Sequence, residues 1–228
     1  MRCPALLLAS LIGLLTVIAG FTGCQNRSTG SSGGDGVASE KPVKIDIQFP
    51  EGDATVTAEL GGPGFDGEGW TTSAPGPLGD PKAVKGGVIS SNIPSWPENL
   101  RRFGTGSNTW LNYVIRGLCF ESLCSTHPVT LETIPNLATH WKIFNDNMTF
   151  QFRINPKAYW SNGRPVVADD WVATYRLLND DTLIAPMMKE TICNMMEEPK
   201  ALSKYMLEVK CKEKNWRNFL AIAAKLPG

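Results

Sequence analysis

The side chains best suited to hold a small molecule in this chain are Asn92, Ser95 and Trp96. Trp96 stands between Pro94 and Pro97, so its backbone is stiff and its indole can serve as a rigid apolar wall. Asn92 and Ser95 add hydrogen-bonding groups beside it. The bland reading of the same residues is a tryptophan that packs its own surface loop. Groups that could make or break bonds are harder to find. No serine sits in a Gly-x-Ser-x-Gly elbow, and His127 and His140 show no His-x-x-x-His or Cys-x-x-Cys spacing. Asp169 and Asp170 could suggest acid–base work, but two acids at the start of a helix are accounted for by the helix dipole. Glu197 and Glu198 read as a solvated hairpin end. Residues 61–69 are glycine-rich yet carry no Gly-Lys-Ser/Thr, so they do not read as a phosphate loop. The chemistry left is binding, with no catalytic group, metal or cofactor expected.

Composition narrows the partners. The chain carries 22 acidic and 22 basic residues, with no Lys/Arg block, which argues against a nucleic-acid footprint. Its 42% hydrophobic content, including 7 Trp and 9 Phe, is enough for one core of ordinary size.

The elements that must support binding are clearest at residues 147–178. Phe150, Phe152 and Ile154 alternate with polar residues, the period of a half-buried strand. Pro156 and then Ser161, Asn162 and Gly163 supply turn chemistry, and Pro165 fixes the approach to the next element. Trp171, Tyr175 and Leu178 fall at i, i+4 and i+7 on one helical face. A strand, a Trp-Ser-Asn-Gly turn and an acid-started helix in this order resemble the extracellular solute-binding proteins, family 5. These are the capture subunits of ABC importers for oligopeptides and dipeptides.

The resemblance continues from residue 85 to the end. Residues 86–91, two glycines leading into an apolar run, look like the family's first strand. Residues 107–123 place Leu111, Val114, Ile115 and Leu118 at helical spacing and close on Phe120, Glu121, Ser122 and Leu123, similar to the family's helix end. Residues 134–141 match its Pro-Gly-Leu-Ala-Glu-Ser-Trp segment, with Pro135 suited to a first helical position. Residues 142–147 then turn a hairpin. Val167 stands where the family carries a threonine cap, a loss of about 1 kcal/mol, while Asp169 and Asp170 still complement the helix N-terminus.

The resemblance implies an α/β fold with α+β character. It would be the N-terminal part of a two-lobed periplasmic-binding-protein type II fold, an incomplete mixed sheet with flanking helices and hairpins. The loop carrying Asn92, Ser95 and Trp96 would leave the end of a core strand, where the cleft of such proteins lies. The implied partners are a peptide or another small solute (nickel, haem or sugar) and an ABC permease in the membrane. Family members run well over twice this length. The chain is therefore expected to be the front of a longer reading frame and to bind peptide weakly, or not at all, by itself. A tethered adaptor that docks through residues 65–70, without a small ligand, is the alternative.

Residues 1–23 read as a targeting segment. Arg2 precedes an apolar run from Ala5 to Ala19, too short to span a bilayer comfortably. Phe21, Thr22, Gly23 and Cys24 resemble a bacterial lipobox, which implies a lipid on Cys24, a membrane anchor and a location on the periplasmic side of the cell envelope. Residues 24–40 are a Gly/Ser tether that cannot bury enough apolar surface to order itself. Residues 41–85 read as an irregular extension with a candidate hairpin formed by 43–49 and 54–60. Residues 86–228 would be the partial first lobe.

Cys119, Cys124, Cys193 and Cys211 remain once Cys3 and Cys24 are set aside. Cys193 and Cys211 lie on two alternating runs, 191–196 and 205–211, and could face each other across a hairpin as a disulfide. All four could equally be small buried apolar residues.

Overall fold

The computed structural model describes residues 49–225 apart from Pro75, Pro77, Leu78 and Lys85. Its centre is a four-stranded antiparallel sheet in the order β3-β4-β6-β5, built from β3 (Ala138–Ile143), β4 (Thr149–Ile154), β5 (Lys200–Ser203) and β6 (Met206–Lys210). Before it come helix α1 (Trp110–Cys119) and a small antiparallel hairpin of β1 (Cys124–Thr126) and β2 (Thr133–Pro135). Helix α2 (Ala168–Asn179) follows β4. A short helix α3 (Pro186–Met188) runs into a π-helical turn, Lys189–Cys193, and α4 (Asn218–Lys225) ends the described part.

Register explains the two faces of the sheet. Trp141 pairs with Phe152 and Phe152 with Leu207, while Ile143 pairs with Phe150 and Phe150 with Val209. Because paired residues point the same way, these side chains form one apolar face. Phe150, Phe152, Leu207 and Val209 are all at most 2% exposed, and each such burial contributes about 1.5–3 kcal/mol relative to exposure. The ring of Phe219 on α4 lies against Trp141, Phe150 and Phe152 with centroids 6.2, 5.8 and 6.1 Å apart. On α2, Trp171 and Leu178 are fully buried in the same core.

The opposite face alternates to polar residues, as Gln151 and Glu208, which are hydrogen-bonded at 2.8 Å, show. One end of that face is covered by residues 49–73. Arg153, 8% exposed, donates from Nη2 to the Glu51 carbonyl at 2.9 Å and stacks over the Phe65 ring at 4.5 Å. Phe65 in turn meets Trp70 edge-on at 5.6 Å and His140 at 5.2 Å. Thr71 then exchanges backbone hydrogen bonds with Trp141 at 2.8 and 2.9 Å, prolonging pairing at the β3 edge. Gly67 has φ +78°, and a Cβ there would come within 2.9 Å of His140 Nε2, so the close approach needs glycine.

The unit at 149–179 is the strand, turn and helix expected. Gly163 adopts φ +81°, and its N–H donates to the Trp160 carbonyl at 2.8 Å. Val167 cannot cap α2, and Asp170 instead accepts the Val167 N–H at 2.9 Å. Leu111, Val114 and Ile115 of α1 are half-buried, whereas Leu118 is 81% exposed.

Four expectations are corrected. Residues 86–91 pair with no described strand, and Val88 and Ile89 stand exposed; an extended run alone leaves its hydrogen bonds to water. Residues 54–60 form turns and a 3₁₀ helix, Ala58–Leu60, rather than a strand. Pro135 ends β2 rather than opening a helix, a position where a missing N–H is tolerated. Residues 191–196 are helical at their start, because Ile192, Cys193 and Met196 fit helical spacing as well as alternation. The hairpin before Cys211 is therefore β5–β6, turning at Lys204 and Tyr205.

Candidate ligand-binding site

Asn92, Ser95 and Trp96 lie together on an exposed loop, around an open concavity of about 400 Å³ that Ser91, Ile93 and Pro94 complete. Trp96 is 87% exposed and packs no core. Every wall of the concavity comes from the loop itself, so a ligand there would meet one curl of chain and no second element.

A second pocket of about 230 Å³ draws its walls from segments far apart in sequence. Leu118, Cys119, Phe120 and Glu121 come from the end of α1, Leu137 from the link between β2 and β3, and Ala158, Tyr159, Trp160 and Val166 from the turn before α2. The turn is fixed because Trp160 Nε1 donates to Asp170 Oδ2 at 3.1 Å. Phe120 is fixed because it caps α1, its N–H donating to the Arg116 carbonyl at 3.0 Å. The Phe120 and Trp160 rings meet edge-on at 6.4 Å.

One cation lies against Phe120. The Arg102 guanidinium lies over its ring at 3.9 Å and over Phe103 at 5.2 Å. Arg116 is one helical turn before Phe120, and its buried Nε meets no acceptor among the described residues. Burial, and then the charge of Arg116, push the Arg102 pKa down to about 10, which leaves it a cation at neutral pH. The residue types alone single out none of Trp160, Arg102 and Phe120 as binding residues. The helix-end motif at 120–123 was visible, but nothing local showed that Arg102 would fold back onto it.

Three of the four described thiols are buried with raised pKa values, which disfavours their nucleophilic thiolate form. Burial pushes the Cys124 pKa up to about 12; burial and then Asp146 push Cys211 up to about 11; burial also raises Cys193. Cys193 and Cys211 are free thiols in this structure, and the residue bridged to Cys211 is Met196. Cys24, the candidate lipid site, lies outside the described residues. Among the described residues no three His, Cys, Asp or Glu side chains gather to hold a metal, and no helix is long and apolar enough to cross a membrane.

Residues 132–228 match the model of the bacterial extracellular solute-binding proteins, family 5. That span contains β2 through α4, with the turn and helix that wall the second pocket. This part of the chain is similar to family 5. Among curated proteins, the periplasmic murein peptide-binding protein MppA of Escherichia coli is 38% identical over 73 residues, 32% of this chain and 13% of its own. The peptidoglycan-binding protein YepA of Agrobacterium fabrum is 32% identical over 114 residues, 46% of this chain and 18% of its own. The matches thus span less than a fifth of these curated relatives. A periplasmic oligopeptide-binding protein from Borrelia burgdorferi superposes with a TM-score of 0.50 at 23% identity, over 60% of this chain and 30% of that one. This likeness shows the fold, helices combined with open sheets as in part of that structure, in line with the α/β expectation.

Proposed function

We propose that the chain is the front portion of the substrate-capture protein of a peptide-class ABC importer. The observation that carries this reading is the family 5 match over residues 132–228, together with 38% identity to a murein peptide-binding protein. The physical layout agrees with it. The residues gathered at both concavities are suited to contact and hydrogen bonding, while the cysteines are protonated and buried or, at Cys119, exposed without a base partner among the described residues. An extended peptide would be held mainly through its main chain, and Asn92, Ser95 and Trp96 would form one edge of its path.

The same reading assigns residues 1–23 to a lipoprotein signal peptide, Cys24 to the lipid anchor and residues 24–40 to a tether. Residues 41–85 are an extension, and residues 86–228 are part of the first lobe. Capture would then occur on the periplasmic side of the membrane, with delivery to a permease. Mass spectrometry of the native protein extracted from membranes tests this. The expected result is a diacylglyceryl group on Cys24 and short peptides released on denaturation. An unmodified residue 24 refutes the anchor. A membrane protein co-purifying with no small ligand at all turns the reading into an adaptor.

A further inference from the structure

We propose that the loop leading into α4 rests on an anionic lipid surface, with Trp216 entering the headgroup layer and Lys212, Lys214 and Arg217 facing the lipid phosphates. The choice of a membrane as the acidic partner rests on the reading of Cys24 as a lipid anchor, which would hold the chain at a bilayer. The surface itself belongs to residues 212–220.

Trp216 is 78% exposed, and Leu220, one helical turn later, is 45% exposed. Slack in the loop is not the cause. The Asn215 side chain accepts the Arg217 N–H at 2.9 Å, and its carbonyl accepts the Asn218 N–H at 3.1 Å. Asn218 is buried and donates from Nδ2 to the Glu213 carbonyl at 2.7 Å. Phe219, Ile222 and Ala223 turn inward to the core. The inner side of α4 is thereby committed to the sheet, and Trp216, Arg217 and Leu220 are left outside. An indole fixed in water beside a leucine has the apolar body and polar N–H that suit the boundary between headgroups and acyl chains.

Charge selects the kind of surface. Residues 212–217 hold three cations against one carboxylate, Glu213. The Arg217 guanidinium lies 4.7 Å from the Trp216 ring centroid, so one cation goes wherever the indole goes. Lys214 is exposed and joins no ion pair among the described residues. Lys212 donates from Nζ to the Cys193 carbonyl at 3.0 Å, a neutral partner that leaves its charge uncancelled. Lys210 is already paired with Glu197 at 3.3 Å and adds nothing. Asp146, whose charge reaches Lys210 and Cys211, is turned to the N–H groups of Met148 and Thr149, each at 2.9 Å. Each basic residue strengthens attachment to an anionic bilayer about fivefold, so this patch makes a weak contact by itself. A lipid chain on the same molecule turns a weak contact into an intramolecular one. The anchor then retains the protein, and the patch sets which side of it faces the bilayer.

The test places the native, membrane-extracted protein on vesicles of phosphatidylcholine alone, and on vesicles of phosphatidylcholine and phosphatidylglycerol in equal parts. Acetylation rates of single lysines are read by peptide mass spectrometry. Lys157 is the internal control, because it is exposed and follows the end of β4 opposite to the end paired with Lys210. Anionic vesicles should slow Lys214 acetylation roughly tenfold relative to neutral ones, leave Lys157 unchanged, and lose this effect at high salt. Trp216→Ala, at an exposed position that folding does not need, should remove most of the protection. Equal Lys214 rates on the two kinds of vesicle, equal slowing of Lys157, or full protection in Trp216→Ala would overturn the surface. Protection seen in native membranes but not on lipid vesicles would also overturn it, by putting a protein in place of the lipid. Flotation with neutral vesicles reads the anchor separately. A protein that floats only with anionic vesicles refutes the lipid on Cys24 and keeps the patch, whereas one that floats with both and shows no Lys214 protection keeps the anchor and loses the patch.

Discussion

Trp160 Nε1 and the Val167 N–H share one acceptor, Asp170 Oδ2, at 3.1 and 2.9 Å. A single carboxylate thereby ties the Trp-Ser-Asn-Gly turn to the first turn of α2, satisfying the Val167 N–H where Val167 itself has no side-chain acceptor to offer the helix. The same oxygen fixes the indole that walls the second pocket.

Asp170→Ala should lower stability by about 1–3 kcal/mol, since one helix cap and one partly buried indole N–H lose their acceptor together. Asp170→Asn should recover part of this, because an amide oxygen can still accept. Urea unfolding of the two variants checks the order, and an unchanged midpoint in the alanine variant would contradict it.

Arg153 clamps residues 49–73 to the outer face of the sheet through the Glu51 carbonyl and the Phe65 ring. Arg153→Ala should raise hydrogen exchange in residues 50–71 by roughly tenfold or more while leaving α2 protected. Gly67→Ala should act in the same direction, since it adds a Cβ against His140 at positive φ. Equal acceleration in α2 would mean that the clamp is part of one global unfolding unit.

His140 should make this covering pH-sensitive. Burial, and then the Arg153 charge, hold its pKa below the ordinary 6.5. The folded state therefore binds a proton more weakly than the unfolded chain, and stability falls as pH drops through 6.5 toward the lowered value. Below that value the loss is complete and level. His140→Gln should flatten the slope of unfolding free energy as the pH falls below 6.5. Parallel curves for the two proteins would rule the histidine out as the cause.

The four described cysteines should separate sharply in reactivity. Cys119 is exposed, whereas Cys124, Cys193 and Cys211 are buried with raised pKa values. Iodoacetamide should label Cys119 at least tenfold faster than the others in the native protein, and all four after denaturation without reductant. Failure of Cys193 and Cys211 to label under denaturing conditions would show that they are joined in solution.

Residues 149–179 were legible in sequence because each step has a local cause. Alternation gives the strand, Gly163 the turn, and the spacing of Trp171, Tyr175 and Leu178 the helix. Residues 191–196 were misread because six residues are too few to separate two periods when Ile192, Cys193 and Met196 satisfy both. Arg153 sits at an outward position of β4, where alternation predicts exposure, and it is buried only because residues a hundred positions earlier fold across it. The second pocket failed to show for the same reason. Phe120, Leu137 and Trp160 meet only in three dimensions, and Arg102 reaches Phe120 from a loop with no pattern of its own. The loop of Asn92, Ser95 and Trp96 was found from residue types alone, and its link to a core strand came from resemblance. The described residues show that loop without a strand behind it.

Peptide capture is tested most directly by calorimetric titration of the native, membrane-extracted protein with short unmodified peptides. The account predicts saturable binding with a dissociation constant on the order of micromolar. A protein that is fully folded by circular dichroism yet gives no binding heat with any peptide, at concentrations where micromolar affinity would be seen, would contradict it.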